Sequence, residues 1–363
     1  MVDVDSKGGA EMVQDHALQQ LYTDFDAAGL KPLWTVRAGL MPVAPTPRAV
    51  PHVWPWARLL PLAARAGDLV PVGRGGERRA IALANPGLPG DPFATATLWA
   101  AVQYLGPREV APAHRHSQNA FRFVLEGEGV WTVVDGDPVA MRRGDLLLTP
   151  GWAWHEHHNT ADAPMVWLDG LDIPLNAQLD AGFFEFGPDE LTDTSTPAVS
   201  RGERLWAHPG LRPLAIDRDT VNSPLPAYRW AHTDAALAAQ LELAGEGHPC
   251  LVEPGHAAVR FVNPTTGRDA LATLRLEMHR LSAGTRTALR REVGSSVWQV
   301  FSGHATVVLG DGERELGVGD LFAVPSWCPV GVRTDAGVDL FRFSDAPSYE
   351  ALHLARHEQE DPA

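Results

Sequence analysis

The sequence predicts an all-β protein made of two copies of one barrel, preceded by a helical and extended arm. Two observations carry that reading. From about residue 70 the chain breaks into runs of strand length bounded by Gly, Pro or Asp, and many short strands at close spacing imply a sandwich or barrel. The same runs then recur in the same order. "ATATLWAAVQYLGP" at 94–107 is answered by "ALATLRLEMHRLSA" at 270–283. "FVLEGEGVWTVVDGD" at 123–137 is answered by "QVFSGHATVVLGDGE" at 299–313, and "RRGDLLLTPGWAWH" at 142–155 by "GVGDLFAVPSWCPV" at 317–330. Gly127 and Gly303 lie 176 residues apart, Gly144 and Gly319 175. Three blocks at one offset mark a tandem duplication.

Taken in order, residues 1–15 are small and polar and read as disordered. "ALQQLYTDFDAAGLKPLW" has apolar residues at helical spacing, with Gly29 and Pro32 as its stop. The Pro-rich "GLMPVAPTPRAVPHVWPWARLL" reads as an extended arm laid on another surface, with 41–56 expected against a neighbouring subunit. "WARLLPLAARAG" reads as a second short helix. The strands of the first copy are expected in "ATLWAAVQYL", "FRFVLEG", "GVWTVVDG", "DLLLTP" and "APMVWLDGL". The expected organisation is an arm at 1–70, a barrel at 71–175, a connector at 176–245 and a second barrel at 246–363. The connector contains the polar, turn-rich "DELTDTSTPAVSRGERLW".

Composition narrows the function. Of 363 residues, 45% are hydrophobic, enough to fill two cores. The net charge of −15 and the lack of a basic stripe exclude a nucleic-acid partner; a few local arginines can still dominate a pocket for a small anion. Two cysteines, Cys250 and Cys328, suit a reducing compartment and rule out a disulfide scaffold. The acidic N-terminus has no apolar signal-peptide core, and the longest apolar runs are too short to span a bilayer. No membrane partner and a cytoplasmic location are expected.

The chemistry begins at "PAHRHSQNAFRF". His114 and His116, two residues apart, point to one side of a strand. Alone, such a pair reads as surface histidines. His155 arrives about forty residues later on a strand that can lie opposite, and three neutral imidazoles converging in a barrel form a first-row metal site with open positions. The imidazoles leave Zn and Fe(II) both open. In the second copy the same offsets carry Arg290, Glu292, Val330 and Thr334 in place of His114, His116, His155 and Asn159. One metal per chain is therefore expected, with a structural or assembly role for the second barrel.

Alternation extends the site. Trp99, Ala101 and Gln103 share an inward parity, and Arg122 faces away from Phe121 and Phe123. A buried arginine needs an anionic partner. His157 shares the parity of His155, while His158 points away. Asp169 reaches the same cavity, where it is expected to orient His157 or a ligand histidine. "VGRGGERRAIAL" supplies Arg74, Arg78 and Arg79, of which Arg79 reads as solvated.

The histidine pair, Gly127, and then Gly144, Pro150, His155 and Asn159 resemble the two motifs of the cupin superfamily. Two departures stand out. Trp152 takes the place of the second motif's internal Gly, with Gly151 one position early. The positions where many cupins carry a glutamate ligand hold Ala120 and Phe121, which leaves a three-histidine centre with room for a chelating substrate and dioxygen. "PAHRH", "AFRF", "EGEG", "TPGWAWHEHHN" and "WLDGLDIP" further resemble the bicupin ring-cleaving dioxygenases, the family of gentisate 1,2-dioxygenase and relatives acting on salicylates and 1-hydroxy-2-naphthoate. The likeness extends to "LWTVRAGLMPVAPTPRAVPHVWPW" and "ERRAIALANPGL".

That resemblance implies two double-stranded β-helix (jelly-roll) barrels and one Fe(II) per chain on His114, His116 and His155. It implies His157, Asp169 and Gln103 as catalytic residues, with Arg122, Arg74, Arg78, Trp99 and Ala101 on the substrate. The implied partners are a small aromatic acid, O2 and further copies of the chain in a homotetramer. The implied reaction opens gentisate between the carboxyl-bearing carbon and its hydroxylated neighbour, giving maleylpyruvate. Salicylate or hydroxynaphthoate cleavage, and a metal-binding cupin that is not an oxygenase, are the alternatives.

Overall fold

The structure is a computed structural model that describes residues 5–70, 79–187 and 197–360. Met1–Thr46 and Pro47–Ala363 form two compact units. The first holds α1 (Asp5–Ala27) and α2 (Leu33–Leu40). Of residues 1–15, expected to be disordered, 1–4 lie outside the described residues and 5–15 are helical, as strong formers such as Ala, Met and Gln allow. α1 stops just before Gly29, whose φ of +69° suits a residue without a side chain. Trp34 closes the turn, its indole donating to the Tyr22 hydroxyl at 3.2 Å.

The second unit opens with β1 (His52–Trp54) and α3 (Trp56–Leu69). The first barrel follows: β2 (Ala80–Ala82), β3 (Trp99–Leu105), β4 (Val110–His116), β5 (Ala120–Glu126), β6 (Glu128–Val134), β7 (Asp137–Arg142), β8 (Leu146–Thr149), β9 (His155–Asn159) and β10 (Met165–Leu171). Between the barrels lie α4 (Ile173–Gln178), β11 (Phe184–Phe186), α5 (Arg201–Trp206), β12 (Ala227–Tyr228) and α6 (Trp230–Gly245). The second barrel comprises β13 (His256–Arg260), β14 (Arg275–Leu281), β15 (Thr285–Arg286), β16 (Leu289–Glu292), β17 (Ser296–Gly303), β18 (Ala305–Leu309), β19 (Gly312–Leu316), β20 (Leu321–Val324), β21 (Val330–Thr334) and β22 (Val338–Ser344), then α7 (Ala346–Ala351) and β23 (His357–Glu360).

Each barrel is two facing antiparallel sheets. In the first they run β12-β8-β5-β10-β3-β2 and β11-β4-β9-β6-β7; in the second, β1-β20-β17-β22-β14-β13 and β19-β18-β21-β16-β23. The order repeats element for element. Gly127 and Gly303, the paired anchors of the repeat, both sit at positive φ (+94° and +76°), and a Cβ on either would strike backbone of the neighbouring strand. The edge strands are exchanged: β1, from before the first barrel, pairs with β20 of the second, and β12 pairs with β8 of the first. Thus His52–Trp54, within the stretch expected on a neighbouring subunit, is paired within this chain. The connector also does more than link. α5 starts at a capping box between Ser200 and Glu203, and α6 lies against β13 and β14.

The outward faces of β5 and β10 meet those of β17 and β22 in one apolar core. Phe123 stacks on Phe341 with centroids 4.1 Å apart, and Phe121 lies against Phe341 and Phe343. Burial of each such ring contributes on the order of 1.5–3 kcal/mol. Polar ties cross the seam with twofold regularity. Thr97 donates to Asp345, and Thr273 to Asp172; the backbone N–H groups of Ser295 and Asn119 donate to the same two carboxylates. Because this seam takes one face of β5, the other face is left to line the barrel's interior.

Candidate active site

The three histidines sit on the sheet away from the seam. β4 pairs with β9 so that His114 lies directly opposite His155, and the register shifts between Ala111 and His114, where Pro112 has no N–H to offer a ladder. The rings of His114 and His116 lie 4.2 and 4.9 Å from that of His155. Each Nδ1 lies against a backbone carbonyl: Pro112 at 3.1 Å, Gln118 at 2.9 Å and Ala153 at 3.0 Å. A carbonyl only accepts, so each Nδ1 carries a proton, and in the neutral ring the lone pair is then at Nε2. The ligand atoms lie within 4.8 Å of one another. His155 Nε2 is buried without a protein partner. Burial, then the neighbouring His114, Arg122, His116 and His157, hold the His155 pKa well below its ordinary value. Three imidazoles so placed, each neutral when it binds a metal, fit a first-row metal ion.

The motif departure at Trp152 has a structural counterpart. Trp152 adopts φ +69°, the left-handed conformation that a glycine takes easily, and Trp327 adopts +63° at the equivalent turn of the second barrel. The bend lets the Trp152 N–H donate to the His116 carbonyl at 2.7 Å, tying the two histidine-bearing segments together.

The opposite wall is built from β3, β10 and β5. Asp169 lies across from Ala101 on one side and Arg122 on the other, and Trp167 lies across from Gln103 and Val124. Directly opposite residues share a face, so Ala101, Gln103, Arg122, Trp167 and Asp169 look into the barrel. Trp99, half-buried, starts the strand on the same parity. The Arg122 guanidinium is buried, with Nε 3.4 Å from Asp169 Oδ1 and Nη1 donating to the Thr149 hydroxyl at 2.9 Å. Trp167 Nε1 also donates to Asp169, at 3.1 Å. Burial pushes the Asp169 carboxyl up to about 6, against the pull of Arg122 and the indole.

Asp169 does not hold His157. The two lie on different sheets, and the register of β6 with β9 instead puts Thr132 opposite His157, its hydroxyl 2.8 Å from Nδ1. Thr132 is the residue that sequence reasoning missed; its signal was one polar side chain of inward parity in "GVWTVV". His158 faces the other way and stacks on Trp131. Arg79 is not solvated: it is buried, bonded to Glu109 and to the Val70 carbonyl at 2.9 Å. Arg74 and Arg78 lie outside the described residues.

Among the described residues, His114, His116 and His155 are the one group of three side chains able to share a metal ion. In the second barrel Arg290 lies opposite Val330, as His114 lies opposite His155. Glu277 lies opposite Arg342, as Ala101 lies opposite Asp169. A cavity of about 110 Å³ there is lined by Glu253, Arg290, Glu292 and Arg342; Arg290 joins Glu253, and Arg342 joins Glu292 and also Glu277. A larger cavity, about 1250 Å³, lies against Glu203, Arg229 and Trp230 and reaches none of the three histidines.

Residues 101–171 match the Cupin domain family. Over 347 residues the chain is 69% identical to a gentisate 1,2-dioxygenase of Streptomyces sp., spanning 96% of this chain and 97% of that protein. It is 33% identical over 339 residues to gentisate 1,2 dioxygenase 1 of Aquipseudomonas alcaligenes, spanning 93% and 95%. The crystal structure of salicylate 1,2-dioxygenase from Pseudoaminobacter salicylatoxidans, as adducts with gentisate, superposes with a TM-score of 0.93 at 61% identity, covering 95% of this chain and 94% of that one. Likeness of this extent along the whole chain, in sequence and in fold, means that the chain belongs to the gentisate 1,2-dioxygenase family of ring-cleaving cupin dioxygenases.

Proposed function

We propose that this enzyme opens the ring of gentisate (2,5-dihydroxybenzoate) with O2 between the carboxyl-bearing carbon and its hydroxylated neighbour, giving maleylpyruvate. His114, His116 and His155 hold one Fe(II) per chain. The observation that carries the reading is a buried guanidinium, Arg122, on the wall of a barrel whose other wall carries three convergent histidines. The likeness to a gentisate dioxygenase at 69% identity supports it.

When bound, Fe(II) supplies a chelation point for the substrate and the capacity to activate O2. The chain does the rest. Arg122 receives the substrate carboxylate in a charge-assisted hydrogen bond, and Asp169 balances its charge while the site is free. His157 accepts the hydrogen of a ring hydroxyl at Nε2, and Gln103 hydrogen-bonds a second substrate oxygen. Trp99 and the small Ala101 shape the space over the ring. Arg74 and Arg78 belong to the same reading through the sequence alone. So do a cytoplasmic location, a homotetramer, the barrel limits at 71–175 and 246–363, and a structural or assembly role for the second barrel.

The 61% identity to a salicylate dioxygenase favours a second reading, in which salicylate is also cleaved. One assay tests both. Apo-protein is reconstituted with Fe(II) or Zn(II), and oxygen uptake is followed with gentisate, salicylate and 1-hydroxy-2-naphthoate. Uptake with Fe(II) and gentisate, and none with Zn(II), is expected. No uptake from an iron-loaded chain would overturn the oxygenase reading, and faster turnover of salicylate would exchange the two substrates.

A further inference from the structure

His157 can take a hydrogen from substrate only if Nε2 carries a lone pair, and a neutral imidazole places its proton on one nitrogen or the other. Nδ1 lies 2.8 Å from the Thr132 hydroxyl, and Nε2 is buried with no protein partner. A hydroxyl has a single proton to give. The same Thr132 oxygen lies 3.2 Å from Met141 Sδ, and a thioether can only accept. Thr132 and Met141 are both fully buried, so solvent offers neither an alternative partner.

From this geometry we infer that Thr132 is a positioning residue: its hydroxyl donates to Met141 Sδ, accepts from His157 Nδ1–H, and so leaves His157 Nε2 as an acceptor facing the site. The inference deepens the proposed function and rests on it for the role of His157. The reverse arrangement, Thr132 donating to Nδ1, would put an N–H at Nε2. That would also leave Met141 Sδ, 3.2 Å from the same oxygen, facing a lone pair instead of a proton. Chemically, the substrate O–H breaks as an Nε2–H forms, and the proton returns to an oxygen of the ring-opened product.

The second barrel supplies an internal comparison. There the paired position is Val307 opposite Val332, in the register that Thr132 and His157 share. A buried hydroxyl without a partner costs free energy, and the barrel without the histidines does not carry one at this place.

The test uses the full chain. With Zn(II) bound as a diamagnetic ion, the ¹⁵N shifts of the His157 ring, assigned by difference from His157→Gln, report the tautomer directly. An unprotonated Nε2 in the wild type, and loss of that preference in Thr132→Val, are expected; a protonated Nε2 in the wild type overturns the inference. With Fe(II) bound, Thr132→Val keeps its metal and its KM for gentisate, while kcat falls by about a hundredfold, the scale of a positioned proton transfer. Thr132→Ser restores kcat to near the wild-type value. Wild-type turnover in Thr132→Val, or equal loss in Thr132→Ser, also overturns it. Should the wild-type chain not turn over gentisate, the functional reading fails, while the ¹⁵N shifts still decide the role of Thr132.

Discussion

Arg122 and Asp169 face each other on adjacent strands inside the first barrel, Nε to Oδ1 at 3.4 Å, each with about 5% of its side chain exposed. Register alone produces the pairing, since β10 lies between β5 and β3. The carboxylate thereby serves the arginine, leaving His157 to a hydroxyl on the other sheet.

This pair predicts an asymmetry between variants. Removing one partner of a buried ion pair leaves the other uncompensated, a loss of about 3–5 kcal/mol. Asp169→Ala should lower unfolding stability by that order, measured by denaturant titration of the metal-loaded chain. Arg122→Met, at the proposed carboxylate contact, should raise KM for gentisate at least about tenfold, roughly one lost charged hydrogen bond, with metal content intact. A KM unchanged in Arg122→Met would remove Arg122 from the carboxylate.

Metal content separates the two barrels. His155→Ala should abolish stoichiometric iron binding and activity, because two imidazoles remain of three. Arg290→Ala, at the position equivalent to His114, should leave the iron content at one per chain, measured by elemental analysis. Iron lost from the Arg290 variant would show that the second barrel contributes to metal binding.

The seam between the barrels predicts a pH dependence. Burial raises the Asp345 pKa from 3.8 to about 6, against hydrogen bonds from Thr97 and Ser295. A raised folded-state value means that the folded chain binds more protons than the unfolded chain between those pH values. The stabilisation is full below the unfolded value and is lost as pH rises through about 6. Two pKa units correspond to about 3 kcal/mol at most. Asp345→Asn, which cannot titrate, should gain on the wild type as pH rises from 4 to 7, in paired unfolding curves. A constant difference between the two proteins would contradict the buried-acid account.

Phe123 tests the shared core. Its ring stacks on Phe341 across the seam, and Phe123→Ala should cost about 3–5 kcal/mol. The folded variant should keep its iron, because Phe123 faces away from the histidines. Loss of metal without loss of stability would mean that the seam and the site are coupled.

Much of the site is legible because strand alternation acts over single residues. His114 and His116 must share a face, His155 and His157 must share a face, and Arg122 must oppose Phe121 and Phe123; the structure has all three arrangements. The constant offset also places Arg290 against Val330, as its first-barrel counterparts are placed. What alternation cannot reach is which strands are neighbours. Asp169 reads as a partner of His157 or of a ligand histidine, and only the order β5-β10-β3 sends it to Arg122. Arg79 reads as solvated because nothing local shows that Glu109 folds back on it.

The sequence by itself therefore determined the duplication, the inward parity of the histidines and the absence of a glutamate ligand at Ala120 and Phe121, since each depends on spacing along one chain. Tertiary structure alone decided the exchanged edge strands, the partners of Asp169 and His157, and the ion network of the second barrel. Those depend on contacts between residues far apart in sequence, fixed by sheet order and register when the two barrels close on a common core.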